Sequence, residues 1–194
     1  MNLLQSYNLT DTSLFERQEQ GMLVWQPDKV YIILGQRDNI ENAVEVVAAK
    51  RENAVIMQRP SGGHAVVLTP KTFVVSILSR EHKLTAFKTF FHDCNMKIIK
   101  ALEKQGVNGL SIQGISDVVL NGKKIAGSSM YRGKDFLFFH AVINVAEEPN
   151  YIDLFLKHPK TEPEYRKKRK HADFITSLSE QGYKISLEML KSDI

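Results

Sequence analysis

The chain has 194 residues, a formal net charge of +4 and an apolar fraction of 43%, which is typical of one compact soluble domain. Its single cysteine, Cys94, excludes an internal disulfide and any multi-cysteine zinc site, and it fits a reducing, cytoplasmic setting. No apolar run approaches the roughly 20 residues of a membrane helix, and the N-terminus lacks the layout of a signal peptide. We therefore expect no membrane partner.

The first half of the chain contains β-branched runs of strand length, bounded by Gly, Pro or charged residues. These predicted strands are residues 29–34, 54–58, 64–68 and 72–78. Residues 41–51 carry apolar side chains at helical spacing, which predicts one short amphipathic helix. Residues 85–105 predict a long helix that ends before Gly106. Cys94 falls on its apolar face, so we interpret it as a core residue and not as a nucleophile.

The second half begins with a predicted hairpin. Residues 117–120 and 124–129 flank Asn121-Gly122, and Asn-Gly is the strongest short signal for a two-residue turn. Strand alternation would place Lys124, Ala126 and Ser128 on one face. A further strand is predicted at 136–145, followed by two short helices at 177–182 and 186–191. The elements alternate in type, which indicates a mixed α/β fold.

Residues 59–64, Arg-Pro-Ser-Gly-Gly-His, are the first candidate for chemistry. Adjacent glycines let the backbone approach a ligand and turn its N–H groups toward an anion. Arg59 offers a donor fork for phosphate or carboxylate. Without further context, a plain turn between two strands explains the same residues. The loop lacks the Gly-Lys-Ser/Thr ending of a P-loop and precedes no helix, so a P-loop nucleotide fold is excluded.

Lys124 is the second candidate, because small neighbours leave room for a ligand above it. An ammonium there could stabilise charge that develops on a carbonyl or phosphate oxygen; an exposed hairpin lysine is the alternative. His140 stands in an apolar strand, where a hydrogen-bonded core histidine is the commoner case. The six histidines include no pair at metal-ligand spacing on one element.

The run 166–171 (RKKRKH) concentrates positive charge near the C-terminus. Such a run attracts an acidic partner in a salt-dependent way, or it is simply a solvated surface. No aromatic-rich strand motif or helix-turn-helix pattern accompanies it, so we expect no nucleic-acid partner.

Several segments form one ordered combination along the chain. They are 25–27 (WQP) with 34–36 (LGQ), 59–66 (RPSGGHAV), 72–76 (TFVVS), 116–129 (SDVVLNGKKIAGSS), 140–141 (HA) with 144–145 (NV), and 176–178 (TSL). Together they resemble the lipoate-protein ligase and octanoyltransferase family, which is related in fold to the biotin-protein ligases. The resemblance implies one catalytic domain over residues 1–194, without an accessory C-terminal domain, built on a mixed, mostly antiparallel sheet packed by helices.

The resemblance also implies a reaction and a site. In the ligases, lipoate and ATP give lipoyl-adenylate, and the acyl group, lipoyl or octanoyl, then moves to a lysine of an acidic carrier domain. Lys124 would contact the acyl carbonyl, and Asp117 would hold the adenylate, with Mg²⁺ as the bridging ion. The other implied site residues line the acyl and phosphate pocket: Arg59, Ser61, Gly62, Gly63, His64, Gly127, Ser128 and His140.

The implied partner is a lipoyl carrier domain, either of a 2-oxoacid dehydrogenase E2 or of the glycine cleavage H protein, with a separate accessory subunit as a further candidate. Residues 166–171 would steer or dock that acidic domain. His64, Ser116 and Ala141 stand where the family pattern has glycine, asparagine and glycine. Two alternatives stay open. One is acyl transfer between carrier proteins, whose cysteine-dependent form requires a thiolate in the pocket; the other is a non-catalytic protein that binds an acyl group or nucleotide.

Overall fold

The computed structural model describes residues 3–80 and 86–194. Its strands are β1 Leu4–Ser6, β2 Gly21–Trp25, β3 Tyr31–Leu34, β4 Val55–Gln58, β5 Val66–Leu68, β6 Thr72–Ser79, β7 Leu110–Gln113, β8 Asp117–Leu120, β9 Lys123–Arg132 and β10 Leu137–Asn144. Its helices are α1 Thr12–Arg17, α2 Ile40–Ala43, α3 Val46–Arg51, α4 Phe87–Lys104, α5 Pro149–Asp153, α6 His171–Phe174 and α7 Leu187–Asp193, with a 3-10 turn at Glu164–Arg166.

The strands form two sheets. One has six strands in the order β2-β6-β10-β9-β8-β7, and every neighbouring pair in it is antiparallel. The other has four strands in the order β1-β4-β3-β5, in which β4 runs parallel to both neighbours. The predicted mixed, mostly antiparallel α/β architecture is confirmed. The strands are divided between two sheets, whereas we expected one.

Alternation along β6 and β10 divides the six-stranded sheet into two faces. Val75, Phe139 and Ile143 pack with Phe91 and Cys94 of α4 in the larger core. The next residues along each strand, such as Val74 and His140, point to the opposite face, where they border a cavity. A smaller core, which includes Ile32, Leu34, Val44 and Phe155, lies against the four-stranded sheet. No helix in the described ranges is long and apolar enough to cross a membrane.

The predicted elements differ from the structure at two helices. The helix predicted over 41–51 is two, because Val44 turns to an extended conformation and forms a β-bridge with Leu156. Residues 178–182 form hydrogen-bonded turns instead of a helix, and they end at Gly182 with φ of 87°. The final helix is confirmed with Ser186 as its N-cap, whose side chain accepts from the N–H of Met189. Residue 85, the predicted start of the long helix, lies outside the described residues.

Candidate active site

A cavity of about 740 Å³ lies between the two sheets. Its walls come from β3 and β5 on one side, β9 and β10 on the other, and the segment 156–166 across one end. Eight of the predicted site residues line it: Arg59, Gly63, His64, Asp117, Lys124, Gly127, Ser128 and His140. Ser61, which is buried, and Gly62, which is exposed, are not part of the lining. The fold therefore brings the glycine loop and the lysine hairpin, which are 60 residues apart in sequence, to one cavity.

Arg59 organises the glycine loop from within. Its guanidinium donates through Nε to Ser61 Oγ at 3.0 Å, through Nη1 to the carbonyl of Ile33 at 3.0 Å, and through Nη2 to the carbonyls of Gly62 and His64 at 2.7 and 2.9 Å. Desolvation lowers the pKa of Arg59 to about 10, which leaves it charged at neutral pH. Four of its five N–H groups therefore donate to protein acceptors. Arg59 stabilises the conformation of the loop and has only one N–H group left for a ligand.

The carbonyls of the glycine loop are occupied on the protein side. The Gly62 carbonyl accepts from Ser129 Oγ at 2.7 Å as well as from Arg59, and the Ser61 carbonyl accepts from the N–H of Gln36. By contrast, the backbone N–H groups of Gly62, Gly63 and His64 donate to no protein acceptor within the described chain. Consecutive free N–H groups beside a buried guanidinium favour an anionic ligand.

A buried polar chain fixes the loop against β10. Ser61 Oγ accepts from Arg59 Nε and lies 2.6 Å from His140 Nε2. The other ring nitrogen faces the carboxylate of Asp11, which favours the tautomer with the proton on Nδ1. His140 Nε2 is then the acceptor, and Nδ1 carries the proton. That Nδ1 lies 3.8 Å from Asp11 Oδ2. Burial lowers the pKa of His140, and the ring is neutral.

Asp11 anchors the far end of this chain and is fully buried. It accepts from Tyr7 at 2.7 Å and from Ser76 at 2.6 Å. Burial by itself raises the pKa of Asp11, but contacts with His140, Ser76 and Tyr7 outweigh that effect and lower it. Our sequence analysis missed Tyr7 and Asp11, because nothing in the local pattern of the N-terminal residues marks them as polar core.

Lys124 and Asp117 form an ion pair on the cavity wall. Lys124 Nζ lies 2.7 Å from Asp117 Oδ1, and the two side chains are 26% and 7% exposed. Ser116 donates to the same oxygen at 3.0 Å, and Tyr165 donates to the other oxygen at 2.7 Å. Burial and the neighbouring Asp117 raise the pKa of Tyr165, so its hydroxyl stays protonated as a donor. Ser116, which departs from the family pattern, thus still supplies a donor to Asp117.

A β-bulge changes the face on which Lys124 lies. Val119 pairs with Lys124 and Val118 with Ala126, so one extra residue is inserted in β9. The predicted common face of Lys124, Ala126 and Ser128 is therefore wrong, since strict alternation does not survive a bulge. Ala126 packs in the core with α4, and the Ser128 hydroxyl lies 3.1 Å from Asn95 Oδ1 on that helix.

Gly127 and Ser129 line the cavity as well, on the same face of β9 as Lys124. A Cβ built on Gly127 would lie 2.7 Å from both Cε and Nζ of Lys124, so the lysine side chain occupies the space that the glycine leaves. Ser129 is a site residue that our sequence analysis missed; only the bulge reveals its orientation.

His64 Nε2 lies 3.0 Å from Thr161 Oγ1 and joins the glycine loop to the segment that closes the cavity. Ala141, the third departure from the family pattern, packs in the core with α4.

The basic run is not a uniform solvated surface. Arg166 and His171 are buried, at 4% and 8% exposure. The guanidinium groups of Arg166 and Arg169 lie 4.8 and 5.3 Å from the ring centre of Phe174, as cation–π contacts. Desolvation, with Arg166 nearby, lowers the pKa of His171 to about 4. The exposed members are Lys167, Lys168 and Lys170.

The family model of the lipoyl protein ligase A/B catalytic domain matches residues 2–194. The chain belongs to this family. It is 23% identical over 164 residues to the lipoate-protein ligase LplJ of Bacillus subtilis, covering 84% of this chain and 48% of that protein. It is 21% identical to the octanoyltransferase LipM of Oceanobacillus iheyensis, covering 85% and 67% respectively. The chain thus spans about half the length of LplJ.

Solved structures of the family share the fold. A structure of the bipartite lipoate protein ligase of Thermoplasma acidophilum, described with its E2 lipoyl domain, superposes with a TM-score of 0.75 at 18% identity. The superposition covers 94% of this chain and 72% of that one. The relatives in this family include both a lipoate-protein ligase and an octanoyltransferase, so family membership alone does not settle the choice of reaction for this chain.

Two features of this family member bear on that choice. Cys94 is 1% exposed on α4, outside the cavity lining, and burial raises its thiol pKa to about 12. The predicted core role of Cys94 is thereby confirmed. In the described ranges, no group of three or more His, Cys, Asp or Glu side chains is arranged to hold a metal ion. Asp117 accepts hydrogen bonds on both oxygens, from Ser116 and from Tyr165.

Proposed function

We propose that the protein activates lipoate or octanoate with ATP to an acyl-adenylate and then transfers the acyl group to a lysine of a lipoyl carrier domain. The observation that carries this proposal is the position of the Lys124 ammonium in the same cavity as the free amides of the glycine loop. Adenylate formation needs cationic and backbone donors around carbonyl and phosphate oxygens. Lys124 would contact the acyl carbonyl and stabilise the charge that develops on its oxygen.

The glycine loop would hold the phosphate. Its carbonyls are occupied by Arg59, Ser129 and Gln36, which leaves the N–H groups of Gly62, Gly63 and His64 as donors. The apolar part of the lining, which includes Val66, Leu68, Val74, Val142 and Ile152, would accept the hydrocarbon chain of the acid. Both halves of an acyl-adenylate thus find complementary chemistry in one cavity.

Asp117 would act by keeping Lys124 in place, because the pair is 2.7 Å apart and mostly removed from solvent. We also propose that Asp117 contacts the Mg²⁺ ion that arrives with ATP, because Mg²⁺ at nucleotide sites is usually held by phosphate oxygens together with one or two carboxylates.

Cysteine-dependent transfer is the main alternative, since LipM is among the relatives. That mechanism requires a thiolate at the acyl site, and the single cysteine of the chain lies in the core with a raised pKa. This absence of a nucleophilic thiol favours ATP-dependent activation. The lipoyl domain that accompanies the Thermoplasma ligase supports a lipoyl carrier as acceptor. Because that ligase is bipartite, a test with a separate subunit is also warranted.

Intact-mass analysis of a lipoyl carrier domain tests the proposal. Parallel reactions contain lipoate with ATP and Mg²⁺, preformed lipoyl-adenylate, or an octanoylated carrier protein. We expect a mass gain that depends on ATP and persists in Cys94→Ala. A gain from adenylate alone would indicate that a separate subunit performs activation. A gain from the octanoylated carrier alone would identify a transferase, and bound lipoate without any gain would identify a binding protein.

A further inference from the structure

The side chains of the basic run, residues 166–171, fall into a buried and an exposed group. Arg166 and Arg169 turn inward over Phe174, whereas Lys167, Lys168 and Lys170 are exposed. The planar guanidinium of arginine stacks on aromatic rings, whereas the strongly hydrated ammonium of lysine favours the solvent, so the position of Phe174 explains this division. The two arginines attach this segment to the protein core. Lys167, Lys168 and Lys170, which we call the lysine surface, face the solvent.

The backbone under the lysine surface is strained. Lys167 and Lys168 both adopt the left-handed conformation, with φ of 52° and 58°. A single left-handed residue is an ordinary way to end a short helix, and Lys167 ends the 3-10 turn. Lys168 has no such role, and a left-handed conformation costs free energy in any residue with a Cβ. Strained non-glycine residues persist where the surrounding structure enforces them, and they cluster at functional positions.

Named contacts enforce this conformation. The N–H of Lys168 donates to Glu162 Oε1 at 2.6 Å, and the N–H of Arg169 donates to the carbonyl of Arg166 at 3.1 Å. Glu162 Oε2 also lies 3.4 Å from Arg166 Nε. One carboxylate therefore links the strained turn to its arginine anchor, so the lysines are presented in a fixed arrangement.

The lysine surface adjoins the candidate active site. Arg169 Nη1 donates to the carbonyl of Gly122 in the β8–β9 turn at 3.2 Å, and Tyr165, which precedes the run, donates to Asp117. Glu164 and Arg166 of the same segment line the cavity. The segment that carries the lysine surface is therefore joined by direct contacts to the residues of the candidate active site.

We propose that Lys167, Lys168 and Lys170 dock an acidic face of the protein that accepts the acyl group. This inference rests on the proposed function and adds the residues that recognise the partner. Three exposed cations on one constrained turn favour an anionic partner and accelerate its encounter. The aromatic ring of this segment, Phe174, is 2% exposed and cannot stack on bases, which single-stranded nucleic acids require of their binding sites. An acidic protein is therefore the occupant that the surface fits.

The test compares two triple charge reversals. One replaces Lys167, Lys168 and Lys170 by Glu; the matched control replaces Lys50, Lys88 and Lys100, which are exposed on α3 and α4, and changes the net charge equally. Adenylate formation without carrier, measured as pyrophosphate release, reports the first half-reaction. Transfer to an acidic lipoyl domain, followed over a range of carrier concentrations, reports docking.

We expect the lysine-surface variant to form adenylate like the control but to show a KM for the carrier about tenfold or more above the control. Added salt should raise the KM of the wild type toward that of the variant. Equal KM values in the two variants would overturn the docking role while leaving the proposed function intact. If the wild type forms no adenylate, the proposed function fails, and direct titration of the carrier onto each variant still tests docking. The docking role would also be overturned if the wild type bound an oligonucleotide and not the carrier, and if the lysine-surface variant lost that binding.

Discussion

Lys124 Nζ and Asp117 Oδ1 lie 2.7 Å apart on the wall of the cavity. The carboxylate is 7% exposed and the lysine 26%, so each charge depends on the other for compensation in a poorly solvated place. The lysine is therefore not the free hairpin side chain that the sequence alone allows. Its ammonium is held at one point, which is what electrostatic stabilisation of a transition state requires.

Replacement of Lys124 by Ala should lower acyl transfer by about 100-fold or more, since a positioned donor to the developing charge is lost. It should also lower the free energy of unfolding by about 1 to 3 kcal/mol, because Asp117 is left buried without its counter-ion. The double variant Lys124→Ala/Asp117→Asn removes that unpaired charge. We expect the double variant to recover stability in urea titrations but not activity, and Lys123→Ala to retain both. Recovered activity in the double variant would contradict the role of Lys124.

Gly127→Ala should separate the fold from the chemistry. The added Cβ would meet Cε and Nζ of Lys124 at 2.7 Å, and the flexible end of the lysine can move at small cost to the fold. We therefore expect a stability within about 1 kcal/mol of the wild type, with transfer reduced by tenfold or more, about 1.4 kcal/mol in the barrier. The circular dichroism melt and the transfer rate are measured side by side. Full activity in this variant would show that the ammonium need not stay above Gly127.

The sequence predicted most of the strands and the residues that meet in the cavity, because short-range signals specify them. The Asn-Gly turn fixed the hairpin, and β-branched runs fixed β3 to β6. Prediction from the sequence failed where a long-range contact determines the local conformation. Val44 leaves its helix to pair with Leu156, a residue more than 100 positions away, and no periodicity reports that pairing.

The same limit explains the errors within the site. One inserted residue in β9 breaks the alternation that we used, so Ser129 was missed, and the Ser128 hydroxyl lies beside Asn95 of α4 instead of sharing a face with Lys124. The buried network around His140 depends on Asp11, which lies in a segment without a motif. Charge composition predicted a basic surface but not which of its members turn inward, since that depends on where Phe174 lies.

Tyr165→Phe tests the second contact of Asp117. Loss of the 2.7 Å hydrogen bond leaves one carboxylate oxygen without this donor and lets the Lys124–Asp117 pair shift. Phe retains the packing against Phe174, so the expected loss of stability is about 0.5 to 1.5 kcal/mol. We expect a lower kcat at an unchanged KM for the carrier. If instead KM for the carrier rises alone, Tyr165 contributes to docking and not to the position of the pair.

Gly35→Ala tests the close approach of β3 to the glycine loop. A Cβ at this position would lie 1.9 Å from the carbonyl oxygen of Gly63, and two backbone segments cannot both keep their places. We expect a loss of about 1 to 3 kcal/mol in the free energy of unfolding, typical of forced overpacking, together with weaker binding of acyl-adenylate. Gly62→Ala, where an added Cβ meets nothing within 4 Å, is the matched control for stability. Equal stability of the two variants would argue against the close approach.

Buried histidines make the fold sensitive to mild acid. The pKa of His171 is lowered to about 4 by desolvation and by Arg166, whereas the unfolded chain titrates near the ordinary value of about 6.5. Between these values the unfolded state binds more protons, so the free energy of unfolding is constant above about pH 6.5 and falls as the pH drops toward 4, by at most about 3 kcal/mol from this group. Urea titrations at pH 7.5 and 5 measure the fall. His171→Gln should make this loss of stability between pH 7.5 and 5 smaller. Some loss should remain, because the pKa of the buried His140 is lowered as well. An equal loss in the wild type and the variant would mean that His171 does not titrate on unfolding.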